Sequence, residues 1–261
     1  MRHERRNDII EKIRRQKTLK VLDLMKEYRV SIETIREDLA FLEKKGYLRR
    51  VYGGAVSHEF YSPSEMEYRQ REQINSNEKK AIGRVAASLI NDGDSVFISY
   101  GTTTTEAVKN LAGKRNLTIL TNAMLVAQEL IKISTNSNGW KIILPGGELR
   151  QDELTMYGNI TTTVLKNFHV AKALIGMGGI DIKAGLTDYN AEEAGVYRLA
   201  IEQAMTVIAL ADHDKFGAIT LNSICPVDNL DILVTDWLSS DAVLEKYRSL
   251  GIEVYVSPEE K

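Results

Sequence analysis

The chain has 261 residues, 43% of them hydrophobic, and a formal net charge of −2, so it holds either one large domain or a small one beside a medium one, with ample apolar content for a core. A single cysteine, Cys225, excludes an intramolecular disulfide, suits a reducing compartment and, in its apolar neighbourhood, reads as packing. The start, Met1-Arg2-His3-Glu4-Arg5-Arg6, leads into no signal-peptide core, and no apolar run reaches membrane-spanning length, so a cytoplasmic protein without a membrane partner is expected.

Residues 3–16 read as a first helix with Ile9, Ile10 and Ile13 on one side. A short helix follows from Val21 to Tyr28, its inner face made of Val21, Leu24, Met25 and Tyr28. Only Arg29-Val30 separate it from the next run. Ser31 suits an N-cap, since its hydroxyl can accept from an amide one turn on. Ile35, Leu39 and Leu42 then recur at four- and three-residue spacing as one apolar stripe. Glu33, Thr34, Arg36 and Glu37 fall on the other face. Two short helices joined by a tight turn, the second presenting short polar and basic side chains, have the geometry of a major-groove reader. Gly46 is a candidate C-cap, and residues 47–55 read as two short strands around a basic turn. Residues 1–56 thus read as a winged helix-turn-helix. Ser31, Glu33, Thr34 and Arg36 are expected to meet base edges and flanking phosphates. Arg49, Arg50 and Tyr52 in the wing, with Arg5 and Arg6 in the first helix, are expected to hold the DNA backbone, a contact that positions without reading sequence.

Charge supports the division. Residues 1–55 hold fifteen Lys and Arg against nine Asp and Glu, a net of +6; residues 56–261 hold nineteen against twenty-seven, a net of −8. A basic small end on an acidic body suits contact with a polyanion, although solvated helix faces would look similar.

The string Val30-Ser31-x-x-Thr34-Ile35-Arg36-x-Asp38-Leu39-x-x-Leu42-Glu43-x-x-Gly46-x-Leu48-x-Arg50-x-x-Gly53-Gly54-Ala55 resembles the winged helix-turn-helix of the DeoR family of bacterial transcriptional regulators. Two positions depart from the family pattern. Glu37 stands where a second Arg is usual, and Tyr52 where His is usual. The first removes a possible DNA contact; neither threatens the fold.

Residues 57–75 are polar, broken by Ser62-Pro63-Ser64, and read as a linker ending in a short helix around Met66–Gln73. Phe60, Tyr61 and Tyr68 are expected to contact a neighbouring domain. From residue 76 helix and strand alternate. Lys79 to Ile90 is an amphipathic helix. Strands are expected at Ser95–Ser99, Leu117–Thr121, Lys141–Leu144, Ala171–Ile175, Thr206–Ala211, Ile232–Thr235 and Glu253–Val256. Helices are expected at about 103–112, 123–133, 155–166, 190–204 and 240–249. This alternation predicts an α/β domain over 76–261 with a mainly parallel sheet covered on both faces.

Five strand ends carry small, polar or charged residues, and in a parallel sheet they converge on one rim, where ligands collect. The first is Tyr100-Gly101-Thr102-Thr103-Thr104, where a close backbone turn, hydroxyls and a helix start suit an anion such as phosphate. Asn122 follows the second strand, Gly146-Gly147 the third, and Gly176-Met177-Gly178-Gly179-Ile180-Asp181 the fourth. Asp212-His213-Asp214-Lys215 follows the fifth, with Lys215 a natural partner for a phosphate charge. Gly178, His213 and Lys215 are therefore ligand candidates, as is Asp181, which could equally cap a turn. His213 has no second His or Cys at ligand spacing, so no metal is expected. Trp140 and Trp237 read as sheet-flanking packing, with pocket lining the alternative for Trp237 beside Asp236.

These strings stand in the order of the DeoR family's sensor domain, which is similar in fold to sugar-phosphate isomerases. The resemblance implies a phosphorylated sugar as effector and a ligand role for Glu193. The isomerases carry an Asp-Gly-Ala-Asp-Glu run after the corresponding strand. Here Ile175 and Gly178 replace both aspartates, which leaves Glu193 without catalytic partners. No catalytic residue and no cofactor are expected.

The sequence therefore reads as a repressor of a carbohydrate-metabolism operon that binds operator DNA as a dimer or tetramer. Two rivals stand beside this reading: an isomerase with an accessory basic domain, and an interaction protein with a vestigial pocket.

Overall fold

Ile9 and Ile13 lie one turn apart on α1 (Arg2–Gln16), and both are buried. They join Leu24 of α2 (Val21–Tyr28), Ile35, Leu39 and Leu42 of α3 (Ile32–Lys44), and Leu48 of β2 (Leu48–Val51) in one apolar cluster. The helical period thus decides which residues meet. α3 starts at its cap: Ser31 has extended backbone, and its Oγ accepts from the Thr34 amide at 3.2 Å. Arg29 makes the turn between α2 and α3 in the left-handed conformation, with φ 52° and ψ 45°, as helix C-termini often require.

The structure is a computed structural model that describes residues 2–16, 18–45, 47–51, 54–57, 66–135 and 138–259. The chain divides into two compact units, Met1–Ser64 and Glu65–Lys261. Gly46, Tyr52, Phe60 and Tyr61, assigned roles from sequence, lie outside the described residues.

The wing differs from expectation by one strand. β1 (Thr18–Lys20) pairs antiparallel with β3 (Gly54–Ser57), which also pairs with β2, giving a three-stranded sheet of order β1-β3-β2. Three residues between two helices are too few to show a period of two, so β1 is legible only through its partner. Gly54 allows that pairing: a Cβ there would collide with the Leu19 carbonyl oxygen.

The second unit begins with α4 (Tyr68–Gln73) and α5 (Ser76–Ser88), the latter one turn earlier than periodicity suggested. The strands β4 (Ser95–Ile98), β5 (Thr118–Leu120), β6 (Lys141–Ile143), β9 (Val170–Ile175), β12 (Ala204–Leu210), β14 (Ile232–Thr235) and β15 (Glu253–Val256) are the seven read from sequence. They form one sheet, ordered β15-β14-β12-β9-β4-β5-β6, in which every neighbouring pair is parallel. Consecutive residues such as Val96, Phe97 and Ile98, or Ala173, Leu174 and Ile175, are all buried. Burial of both strand faces is what covering helices produce. The helices are α6 (Thr102–Lys109), α7 (Met124–Ile133), α8 (Gly158–Leu165), α9 (Ala191–Glu202) and α10 (Asp241–Arg248).

Two corrections apply here. Residues 155–166 are not one helix: β8 (Thr155–Tyr157) pairs with β7 (Glu148–Arg150) as a hairpin, and α8 starts at Gly158 with φ 88°. A second sheet, β10-β11-β13 (Gly179–Asp181, Gly185–Asp188, Asn222–Cys225), is antiparallel and was not foreseen. Its short strands take their pairing from tertiary neighbours. Cys225 is packing, as expected; it is buried, and burial pushes its thiol up to about 12. Trp140 Nε1 donates to the Lys114 carbonyl at 2.9 Å. Among the described residues, no helix is long and apolar enough to cross a membrane.

Sheet order reverses beside β4. From β4 the sheet grows through β5 to β6; from β9 it grows the other way through β12 and β14 to β15. Such a switch point opens a crevice at the carboxyl ends of the strands. The five strands whose ends were singled out, β12-β9-β4-β5-β6, are contiguous in the sheet.

Candidate functional site

The helix α3 presents two different faces. Ile35, Asp38, Leu39 and Leu42 are buried, whereas Ser31, Glu33, Arg36 and Glu37 are exposed and Thr34 is half-buried. The Ser31 and Thr34 hydroxyls lie 3.0 Å apart. Arg36 is on the outer face, where a groove contact requires it. The expected backbone grips turn out to have internal partners. Arg5 and Arg6 donate through Nε to the two oxygens of Asp38, at 2.6 and 2.7 Å, and the Arg6 guanidinium lies 3.8 Å over the Phe41 ring. Arg50 donates to Glu43 from both its amide and its Nε, each at 2.7 Å, tying β2 to α3. Arg49 lies on β2 with its side chain outside the described residues. Sequence reading missed Asp38. The signal was present, because positions 35, 38, 39 and 42 share one stripe, and a carboxylate on a buried stripe needs a cationic partner.

At the rim of the parallel sheet, Gly101 has φ 154° and Thr102 opens α6. The hydroxyls there divide into two sets. Thr104 Oγ1 donates to the carbonyls of Ser99 and Gly101, at 2.9 and 3.0 Å, and Thr105 Oγ1 donates to Gly101 at 2.8 Å, so both serve the turn itself. Thr102 and Thr103 make no side-chain hydrogen bond among the described residues. The Gly176 amide donates to Ser99 Oγ at 2.8 Å and so joins the ends of β4 and β9. One strand further, Asn122 Nδ2 donates to the Met156 carbonyl at 3.0 Å, while its buried Oδ1 has no partner among the described residues. Such an acceptor is costly unless something donates to it.

Three charged groups at this rim were not foreseen. Arg71 of α4 donates from Nη2 to Tyr100 Oη at 2.5 Å and to Glu153 Oε2 at 2.7 Å, and from Nε to the Met66 carbonyl at 2.8 Å. Its guanidinium also lies 5.1 Å from the Tyr100 ring. Tyr68, given an interdomain role from sequence, donates instead to Thr105 Oγ1 at 3.1 Å within this unit. Lys79 is buried and donates to the carbonyls of Arg71 at 2.5 Å and Ile74 at 2.7 Å. Burial pushes its ammonium down to about 8, against the pull of the Asp212 carboxylate and with the repulsion of Lys215 and Arg71. Glu193 is 1% exposed; it accepts from Thr155 Oγ1 at 2.5 Å and from Arg150 Nη1 at 3.1 Å.

On the β12 side, His213 Nδ1 lies 3.1 and 3.2 Å from the Asp236 oxygens, and the His213 amide donates to Asp236 at 2.8 Å. Burial alone would lower the His213 pKa; the Asp236 hydrogen bond and the Asp214 charge outweigh it, and the net shift is upward. Asp236 is held low by His213 despite its own burial. Lys215 Nζ reaches the Gly178 carbonyl at 3.5 Å, and Asn75 Nδ2 donates to Asp214 at 2.9 Å.

The remaining candidates have neighbours within the chain. A Cβ on Gly178 would crowd Thr220 and Tyr189. Gly147, at φ 127°, backs onto Thr161, whose Oγ1 donates to the Gly146 carbonyl at 2.6 Å. Of the two roles open to Asp181, the structure shows the cap: its Oδ1 accepts from the Lys183 and Ala184 amides at 2.8 and 3.0 Å. Among the described residues, no three His, Cys, Asp or Glu side chains are placed to hold a metal ion.

Comparison with known proteins matches this architecture. A DeoR-like helix-turn-helix domain model matches residues 5–60, and a DeoR C terminal sensor domain model matches residues 74–237. The chain is 33% identical to the HTH-type transcriptional repressor GlcR of Bacillus subtilis (strain 168), over 94% of this chain and 97% of that one. It is 29% identical to a lactose phosphotransferase system repressor of Staphylococcus aureus (strain N315), over 93% and 95%. Among solved structures, a ribose 5-phosphate isomerase A from Methanocaldococcus jannaschii is a distant likeness, with a TM-score of 0.40 at 12% identity over 54% of this chain and 55% of that one. The matched relatives are regulators rather than enzymes, and the chain belongs to the DeoR family of DNA-binding transcriptional regulators.

Proposed function

We propose that this regulator represses a carbohydrate-metabolism operon as a homodimer or tetramer, and that a phosphorylated sugar at the carboxyl rim of the parallel sheet modulates its hold on the operator. One observation carries the effector reading. At the switch point, the buried Thr102 and Thr103 open α6, Arg71 donates to Tyr100 beside them, and the buried Lys79 donates to the Arg71 carbonyl. Amides at a helix start with nearby cations suit a phosphate. Asn122 Oδ1, unpaired among the described residues, and the buried Glu193 carboxylate suit sugar hydroxyls. A relative named as a lactose phosphotransferase system repressor supports the carbohydrate class.

On the DNA side, Ser31, Thr34 and Arg36 are the base-edge candidates, with Glu33 beside them. A single winged domain supplies few base contacts, which favours an oligomer reading repeated half-sites.

The test pairs two measurements. A thermal-shift screen against phosphorylated sugars and their unphosphorylated parents should find one phosphorylated compound that stabilises the protein, by about 2.7 kcal/mol at a hundredfold excess over Kd. The same compound should change retardation of promoter fragments from the gene's own locus. No stabilisation by any phosphorylated sugar, or stabilisation without change in DNA binding, would overturn the reading.

A further inference from the structure

The β7–β8 hairpin carries Glu153 in its turn, and this carboxylate is 3% exposed. It accepts from Arg71 Nη2 at 2.7 Å, while the same nitrogen donates to Tyr100 at the rim. The neighbouring residue, Leu154, is held at φ 54°, a conformation unfavourable for its side chain. A second ion pair ties the hairpin down on its other strand, where Arg150 meets Glu193 at 3.1 Å. Backbone bonds from Met124 to Leu154 and from Met156 to Asn122 fasten it beside the Asn122 acceptor. The arginine beside the Gly101-Thr102 turn is thus already engaged by an anion belonging to the chain.

We propose that Glu153 is an internal counter-anion that sets the anion affinity of the sensor rim. This inference rests on the phosphate-site reading above and names its regulation. A ligand phosphate approaching Arg71 must displace the Glu153 carboxylate, because two anions crowded on one guanidinium in a water-poor site repel each other. The intrinsic affinity is reduced by the fraction of molecules in which Arg71 is engaged. Displacement also frees the hairpin turn, where strain at Leu154 favours release. α4, which carries Arg71, directly follows the stretch joining the two units, so the exchange occurs where the sensor unit begins.

The experiment uses inorganic phosphate as probe at matched ionic strength on the full chain. Glu153→Gln keeps the shape and removes the charge. It should tighten phosphate binding at least about tenfold by calorimetry, the effect of 1.4 kcal/mol. The double variant Arg71→Gln with Glu153→Gln should lose that gain. Hydrogen exchange on the unaltered protein gives a measurement that needs no variant to fold: phosphate should accelerate exchange of amides in the 151–154 turn. If phosphate binds the unaltered protein and Glu153→Gln with equal affinity, or leaves exchange in the turn unchanged or slower, the counter-anion role is overturned while the site reading stands. If neither protein binds phosphate, the counter-anion role is again overturned, and the sugar-phosphate screen separately decides the site reading.

Discussion

Replacing Asp38 by Ala probes how the reading helix is held. The carboxylate has no exposed surface and receives Arg5 Nε at 2.6 Å and Arg6 Nε at 2.7 Å. Removing one partner of a buried ion pair costs ~3–5 kcal/mol, because the remaining charge is stranded. Each arginine keeps 14% exposure, so both can turn toward water once released. The lower end, about 3 kcal/mol, is therefore expected. A unit ending at Ser64 has a total stability of only about 3–10 kcal/mol at ordinary values per residue. Its midpoint should fall by more than about 10 °C, since 1 kcal/mol shifts a domain of this size by about 4–8 °C. Both tryptophans, Trp140 and Trp237, lie in the other unit, so their fluorescence reports that unit alone. Circular dichroism of Asp38→Ala should show an early loss of helix while the fluorescence midpoint stays put. Asp38→Asn, which keeps an acceptor, should fall less. A dichroism midpoint within about 4 °C of the unaltered protein would refute the argument that this carboxylate clasps α1 to α3.

Other outcomes follow from the same geometry. Arg36→Ala should weaken operator binding by about 1–3 kcal/mol and random DNA far less, because a base contact carries specificity; equal losses in a titration against both would remove Arg36 from the groove. Lys215→Ala should abolish the effector-induced shift in gel retardation while leaving operator affinity unchanged; a normal response would take Lys215 out of the site. The His213 pKa is raised in the folded state. Its contribution to stability is therefore complete below the unfolded value near 6.5 and is lost as pH climbs through the higher folded value. Denaturant midpoints measured from pH 6 to pH 9 should fall for the unaltered protein and flatten in His213→Gln; parallel curves would show that the pair with Asp236 is not the cause.

Much of the fold was legible in local pattern. The seven strands of the parallel sheet were visible because each is a short, largely apolar run between turn residues, and in the central strands β4, β9 and β12 consecutive residues are buried. Ser31 announced the start of α3 because an N-cap acts on amides within one turn of itself. β1 and the antiparallel sheet were not visible, since Thr18-Leu19-Lys20, Gly179-Ile180-Asp181 and Gly185-Leu186-Thr187-Asp188 contain no apolar run and take their pairing from tertiary neighbours. The hairpin at 148–157 was hidden because Thr155-Met156-Tyr157 runs straight into α8, whose first residue is the left-handed Gly158.

Sequence alone determined the family, the two-unit plan, the buried stripe of α3 and which strand ends carry polar groups, because those properties repeat over a few residues. Tertiary structure alone decided which charges face each other. Arg71 meets Glu153 across 82 positions, Arg150 meets Glu193 across 43, and Arg5 meets Asp38 across 33. Such partners are set by strand order and helix packing. Residues expected to reach outward to DNA or ligand can therefore be taken up by neighbours that no local spacing reveals.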